Sequence, residues 1–311
     1  LKQLPAADRL DLLVDAEMRE AERMLHMDTV FQALVVQRSR SYVKESQRLH
    51  GGSGAIFPER ELPQVVPYSI KSTYGALLES VRTAFRKDHP LFVLGIYYPL
   101  AYWKGDKESS AYRSFDEGRQ KQVVMLIRTL FLKRFESSAR AFEGSCWRLL
   151  RKLLAWVTVH AESTHDKGRL ERWHIRNESL IGYVYAHQQE LWPDDADEDE
   201  VEEFLDEDIL SSIDRLDPDK FDIDAIMDHT FDDLDQLADF LREVARVKPG
   251  QDDKLKALIK LLKTDPVLKN QKVIIFTEFA DTARYLEHEL KQAGIEDLHR
   301  IDGSSRQKHR S

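Results

Sequence analysis

The chain has 311 residues, of which 42% are hydrophobic and 32% are charged, enough for two or more globular units. Its formal net charge of −9 means that a nucleic-acid-binding surface would need a local surplus of basic residues. The single cysteine, Cys146, excludes an internal disulfide, and no apolar run approaches the roughly 20 residues that a membrane-spanning helix needs. The first residues lack the layout of a signal peptide, so we expect a cytoplasmic chain without membrane contact.

Two arginines follow the first predicted helical region. Apolar residues recur at helical spacing between Asp8 and Val36, which predicts one long helix or two shorter ones. Arg38 and Arg40 come next at a spacing of two, which places both on one side of an extended chain but not of a helix. The pair is a candidate contact for the phosphate of ATP or DNA. A solvated helix end, with favourable charge near its C-terminus, is the alternative.

Helical periodicity is clearest after Asp116. One apolar stripe runs from Val123 to Val157 and predicts a long helix with a kink at Gly144. The basic residues of this region form either a solvated face of the helix or a face that follows a nucleic-acid backbone. The basic residues that lie mostly off the stripe are Arg128, Lys133, Arg140, Arg148, Arg151 and Lys152.

The strongest change in composition is the acidic run at 194–208. So dense a run of like charges repels itself, which predicts a solvated linker or an exposed helix. An acidic mimic of DNA, held in a basic groove until DNA displaces it, is the alternative. Helical spacing returns from Ile209 to Val247. The histidines at 160, 165 and 174 match no metal-binding spacing, so we predict no metal site.

The last forty residues predict a β-α-β unit. Val273–Phe276 is a short, β-branched apolar run, typical of a strand buried on both faces. Ala283, Leu286 and Leu290 then recur at helical spacing, and Gly294 stands where a C-terminal cap belongs. Leu298–Ile301 predicts a second strand, and one crossover helix between the two strands makes them parallel.

Three ordered islands of sequence carry a resemblance to a known family. Phe276–Phe279, followed at the next strand by Asp302–Ser305 and Arg310, resembles the opening of the second RecA-like lobe of Swi/Snf-type superfamily-two helicases and DNA translocases. Val36–Val43 resembles the basic signature that follows the first lobe, with Gln37 where the family usually has arginine. Phe57–Glu61 is similar to the strand that leads out of that lobe.

Two further helices are similar to family elements and complete the expected layout. Asp253–Leu262 resembles the helix before the second lobe, and Leu126–Ser138 resembles a helix of bacterial members. The resemblance implies a mainly α chain with an α/β C-terminal part, in which a helical interlobe insertion precedes the start of a RecA-like parallel lobe. The expected parts are the helical end of the first lobe (1–50), a connector (51–80), the insertion with acidic segment 194–208 (81–250), and the truncated second lobe (251–311).

By resemblance, the intact protein is a bacterial, cytoplasmic motor that couples ATP hydrolysis to movement on duplex DNA. Thr277 and Ser304 would donate hydrogen bonds to the DNA backbone, and Glu278 would orient a neighbouring basic group. Thr277 capping the next helix near Asp281 is a compatible alternative. The full set of expected nucleic-acid-binding residues is Thr277, Glu278, Ser304, Ser305, Arg310, Arg38 and Arg40.

The catalytic motifs of the family are not found in these 311 residues. There is no G-x-x-x-x-G-K-[ST] and no acidic pair for magnesium, so ATP and Mg²⁺ are expected to bind the intact protein rather than this chain alone. The chain begins without Met and stops within a motif, and we expect a fragment that is inactive alone. Its helical insertion is a candidate surface for protein partners. A helical scaffold and an RNA-dependent RecA-like motor remain alternatives.

Overall fold

Eight α-helices make up most of the part of the chain that the computed structural model describes, which is residues 47–48, 62–86, 92–105, 111–191 and 213–302. The chain divides into two compact units, Leu1–Val65 and Val66–Ser311, and the helices belong to the second. The fold is mainly helical, as the sequence predicts. The helices are α1 Ile70–Tyr74, α2 Ala76–Ala84, α3 Ala111–Ser137, α4 Ala139–His160, α5 Thr164–Leu191, α6 Ile223–Val244, α7 Asp253–Thr264 and α8 Ala280–Gln292.

Polar side chains cap the starts of several of these helices. Ser138 accepts a hydrogen bond from Ala141 N at 3.1 Å and starts α4. Asp222 and Asp252 cap α6 and α7 in the same way, and each cap satisfies a backbone donor that the helix leaves unpaired. The Ser138 cap divides the predicted long helix into α3 and α4. The kink predicted at Gly144 is therefore wrong, because the chain breaks at Ser138 and Gly144 lies inside α4.

The core surrounds α4, which packs against α3, α5, α6 and α8. Most of α4 is buried. A helix in this central position needs buried residues on more than one face, whereas a single apolar stripe is typical of a helix at the surface. Aromatic rings from α3, α4, α6 and the segment before α3 meet in the centre at centroid separations of 5.2–6.2 Å, a range typical of favourable tilted and edge contacts. These rings are Phe92, Phe131, Phe135, Phe142 and Phe240.

The two ends of the helical region meet. Ser69 N, just before α1, donates to Asp253 Oδ2 in the first turn of α7 at 2.8 Å. In return Asp253 N donates to Thr73 Oγ1 at 3.0 Å. Lys254 Nζ lies 5.4 Å from the ring centroid of Tyr68. The start of α1 and the start of α7 therefore lie side by side, although about 180 residues separate them in the sequence.

The predicted β-α-β unit is present only as its helix. Gly294 has a φ of 77° and its N–H donates to Lys291 O, so the predicted end of α8 is confirmed. Neither Val273–Phe276 nor Leu298–Ile301 forms a strand in the described residues. Ile274 and Phe276 are 76% and 88% exposed, so the described residues do not show the predicted strand buried on both faces. Two four-residue strands with no third strand beside them bury too little surface to persist in water.

Candidate nucleic-acid interface

The first turn of α8 is held by arginines from two other helices. Arg134 Nη1 on α3 and Arg148 Nη2 on α4 both donate to Asp281 Oδ2, at 2.9 and 2.8 Å. Arg284 Nη1, one turn along α8, lies 3.8 Å from Asp281 Oδ1. The hydroxyl of Thr282 contacts Ser138 Oγ at 2.9 Å and fixes the register of this contact. Three guanidinium groups therefore surround one buried carboxylate.

The positive charges of this cluster repel one another. Burial lowers the pKa of Arg134, and the charge of Arg148 lowers it further, while Asp281 acts in the opposite direction. Burial likewise lowers the pKa of Arg284, with Arg300 adding to the effect. Arginine remains protonated in proteins. Arg134 and Arg148 consequently share one carboxylate oxygen while their charges repel each other.

The predicted backbone-gripping loop lies directly before this turn. Thr277 Oγ1 accepts a hydrogen bond from Phe279 N at 3.4 Å, a long local contact at the start of α8. Glu278 receives Lys133 Nζ of α3 at 3.1 Å, and both side chains are at least half exposed. An exposed pair of this kind contributes little to stability and exchanges readily with other ions. Lys133 is thus the basic neighbour of Glu278.

The other expected site residues lie outside the described part of the chain: Arg38, Arg40, Ser304, Ser305 and Arg310. The acidic segment 194–208 is outside it as well.

The basic residues off the apolar stripe have separate roles. Arg128 Nη2 donates to the carbonyl of Phe92, and Arg140 is buried on Glu143, so neither is placed to meet a ligand. Arg148 is exposed beside Asp281, and Lys152 is exposed one turn further along α4. The sequence could not distinguish these cases, because the partners of Arg134 and Arg148 come from α8, more than 130 residues away.

Removal of the Asp281 carboxylate should weaken the attachment of α8. We expect Asp281→Ala to lower the free energy of unfolding by about 1–3 kcal/mol, because the half-buried Arg134 then lacks its counter-ion. Urea denaturation followed by circular dichroism would measure the loss. The control is Asp228→Ala, which removes an exposed partner of Arg169 and should change stability by no more than about 0.5 kcal/mol. Equal effects of the two substitutions would contradict a structural role for the cluster.

Comparison of the chain with models of protein families, with curated proteins and with solved structures gave no match. Within the described residues, no group of three or more His, Cys, Asp or Glu side chains is placed to hold a metal ion. No helix in that part combines the length and apolar character required to cross a membrane.

Proposed function

We propose that this chain is part of an ATP-dependent DNA helicase or translocase of the Swi/Snf type. Its residues 81–250 form the helical insertion between the two RecA-like lobes, and residues 251–311 begin the second lobe. The observation that carries the proposal is the basic surface at the N-terminus of α8. It combines the loop that resembles the family's backbone-gripping motif with Lys133, Arg134 and Arg148 from the insertion.

The meeting of α1 and α7 supports the assignment of an insertion. An inserted domain must leave its host and return to it at nearby points, so its two ends lie close together. The reciprocal hydrogen bonds of Ser69 and Thr73 with Asp253 join these ends. These bonds join the expected connector (51–80) to α7, the helix that resembles the one before the second lobe.

The exposed apolar run before α8 supports its assignment to a sheet. Val273–Phe276 is exposed, and the backbone N–H groups of 272–276 donate to no other described residue. A β-branched run with free backbone donors is suited to pairing with further strands. In this proposal, the run and Leu298–Ile301 join a parallel sheet in the intact lobe, which would place Thr277 and Glu278 at the carboxyl ends of its strands, where ligands of such sheets bind.

The proposal places the site for ATP and Mg²⁺ in the intact protein. The sequence lacks the lysine-containing phosphate loop that the family uses to hold nucleotide. The proposal therefore assigns nucleotide chemistry to motifs that are not among these 311 residues. What this chain contributes is contact with the DNA backbone. Lys133, oriented by Glu278, would bind one phosphate, and the cluster at Asp281 would hold the loop in position.

ATP hydrolysis by the intact protein should be stimulated by duplex DNA and should lose that stimulation as salt rises. Each phosphate contact releases a counter-ion, so the affinity falls with a slope of about −0.9 per contact in log–log form. The measurement is steady-state ATPase with duplex DNA, single-stranded RNA or no nucleic acid, at several KCl concentrations.

The arms of this experiment separate the candidate functions. Stimulation by RNA alone would replace the DNA motor by an RNA-dependent one. Hydrolysis that responds to neither nucleic acid, or no hydrolysis, would overturn the motor hypothesis and favour a helical scaffold.

Lys133→Ala should reduce the stimulation of ATP hydrolysis at limiting DNA without changing the rate at saturating DNA, because the Lys133 side chain acts in DNA binding only.

A further inference from the structure

A second basic site lies next to the cluster at Asp281. A cavity of about 250 Å³ opens where α3 and α4 meet the short 3₁₀ turn Gly95–Tyr97. Arg134, Arg148 and Lys152 line it, and Tyr97 forms one wall. Arg148 and Lys152 stand one turn apart on α4, so their backbones are separated by about 6 Å along the helix axis.

The cations of this cavity outnumber its carboxylates. Arg134 and Arg148 share a single oxygen of Asp281. Lys152 makes no ion pair with any described carboxylate, and its Nζ lies 5.3 Å from the ring centroid of Tyr97. The side chain of Arg148 is 53% exposed, so its guanidinium can reach a ligand while it still contacts Asp281. The surplus charge therefore faces a concave, accessible space.

The remaining lining defines the class of anion. Ile127, Leu130 and Phe131 supply apolar walls beside the charged groups. Burial raises the pKa of Tyr97 to about 12, so its hydroxyl is neutral and adds no negative charge at physiological pH. A guanidinium and an ammonium on one rim suit the oxygens of a phosphate, and apolar walls suit the sugar carbons next to it. This combination fits a backbone phosphodiester better than a small hydrated anion.

We propose that this cavity binds a phosphodiester of the duplex DNA backbone, with Arg148 and Lys152 as its direct contacts and Arg134 as the residue that positions Arg148. The site rests on the proposed function, and it extends the DNA contact from the loop at Glu278 across α3 onto α4. It involves no base, so its contribution is independent of DNA sequence.

Fluorescence anisotropy with a labelled duplex of mixed sequence tests the site on the 311-residue chain. Lys152→Ala should weaken binding about three- to tenfold and reduce the salt dependence by about one contact. Lys152→Glu should weaken it further, because it adds a like charge. Lys167→Ala is the matched control: Lys167 is also exposed, on α5, and this substitution should leave the affinity unchanged. Lys152 is exposed, so unfolding curves of all four proteins should coincide.

The possible results test the cavity and the proposed DNA motor independently. Binding that is unaffected by Lys152→Ala and Lys152→Glu overturns the cavity but leaves the DNA motor in place. Loss of affinity in these variants, with no DNA-stimulated ATPase in the intact protein, supports the site and overturns the motor. Displacement of the duplex by low-millimolar inorganic phosphate at constant ionic strength would assign the cavity to free phosphate instead. Binding of polyglutamate but not duplex, lost in Lys152→Ala, would assign it to an acidic protein.

Discussion

Replacing Glu143 with leucine is expected to lower the free energy of unfolding by about 3–5 kcal/mol, because it leaves a buried arginine without its counter-ion. Glu143 is completely buried in α4, and Arg140 Nη1 donates to its Oε2 at 2.5 Å. His187 Nδ1 of α5 donates to the other oxygen at 3.0 Å, and Arg140 Nη2 donates to Val247 O at 3.2 Å. The pair thus joins α4, α5 and the segment after α6.

The ionised state of Glu143 follows from these partners. Burial by itself would raise the pKa of Glu143, but the hydrogen bond from His187 and the charge of Arg140 more than offset it, so the pKa is lowered. A lowered folded-state pKa stabilises the protein above the ordinary pKa of glutamate. That contribution is lost as the pH falls through the folded-state value.

A double-mutant cycle provides the control for this first prediction. The pair Arg140→Leu and Glu143→Leu removes both charges, and it should recover much of the loss seen in Glu143→Leu. Urea denaturation of the wild type, both single variants and the double variant gives the interaction energy directly. Additive single effects would show that the ion pair does not hold these segments together.

Replacing Asp233 with leucine should cost about 2–5 kcal/mol of stability, because two buried backbone donors lose their acceptor. Asp233 in α6 is fully buried, and its two oxygens accept from Val93 N and Leu94 N, each at 2.6 Å. Leu94 has a φ of 61°, a left-handed conformation that a side chain disfavours. The carboxyl group therefore holds a strained segment against the aromatic core. Thermal or urea unfolding near pH 5 measures the loss, and Asp232→Asn, at the exposed neighbouring position, should have little effect.

The pH dependence gives an independent check on Asp233. Burial raises its pKa to about 7, against the opposing effect of the two backbone donors. A raised folded-state pKa means that its contribution is fully present below the ordinary value of 3.8 and declines as the pH rises through about 7. The stability of the wild type relative to Asp233→Asn should therefore fall between about pH 4 and pH 7. A constant difference over that interval would contradict the burial of a titrating carboxyl group.

Local sequence predicted the helical parts of this structure well. The helix of 280–292 and its end before Gly294 follow from apolar spacing and from the one residue type that tolerates a positive φ freely. The division between α3 and α4 was missed at Ser138, although serine is a preferred N-cap. A continuous apolar stripe on both sides of Ser138 concealed the break, because the two helices bury neighbouring faces in one core.

Of the nucleic-acid-binding residues expected by resemblance, only Thr277 and Glu278 lie in the described part of the chain. The sequence also gave Lys133, Arg148 and Lys152 as part of a basic face, without indicating their partners. Sequence alone gave no sign that Arg134 and Arg148 converge on Asp281, since each pair is separated by more than 130 residues. It equally gave no reason to separate Arg140, which is buried on Glu143, from Arg148, which is exposed. Such differences depend on which helix faces which, and charge periodicity does not contain that information.

The sequence by itself determined the helical class of this protein, the end of α8 before Gly294, and the resemblance on which its proposed function rests. Those features depend on spacing and on local backbone chemistry, which act over a few residues. Only the tertiary structure decided that α1 and α7 meet at Asp253, that Val273–Phe276 is exposed, and that arginines from α3 and α4 converge on Asp281. These features depend on the packing of distant helices, and packing is determined by the sum of many long-range contacts rather than by any local pattern.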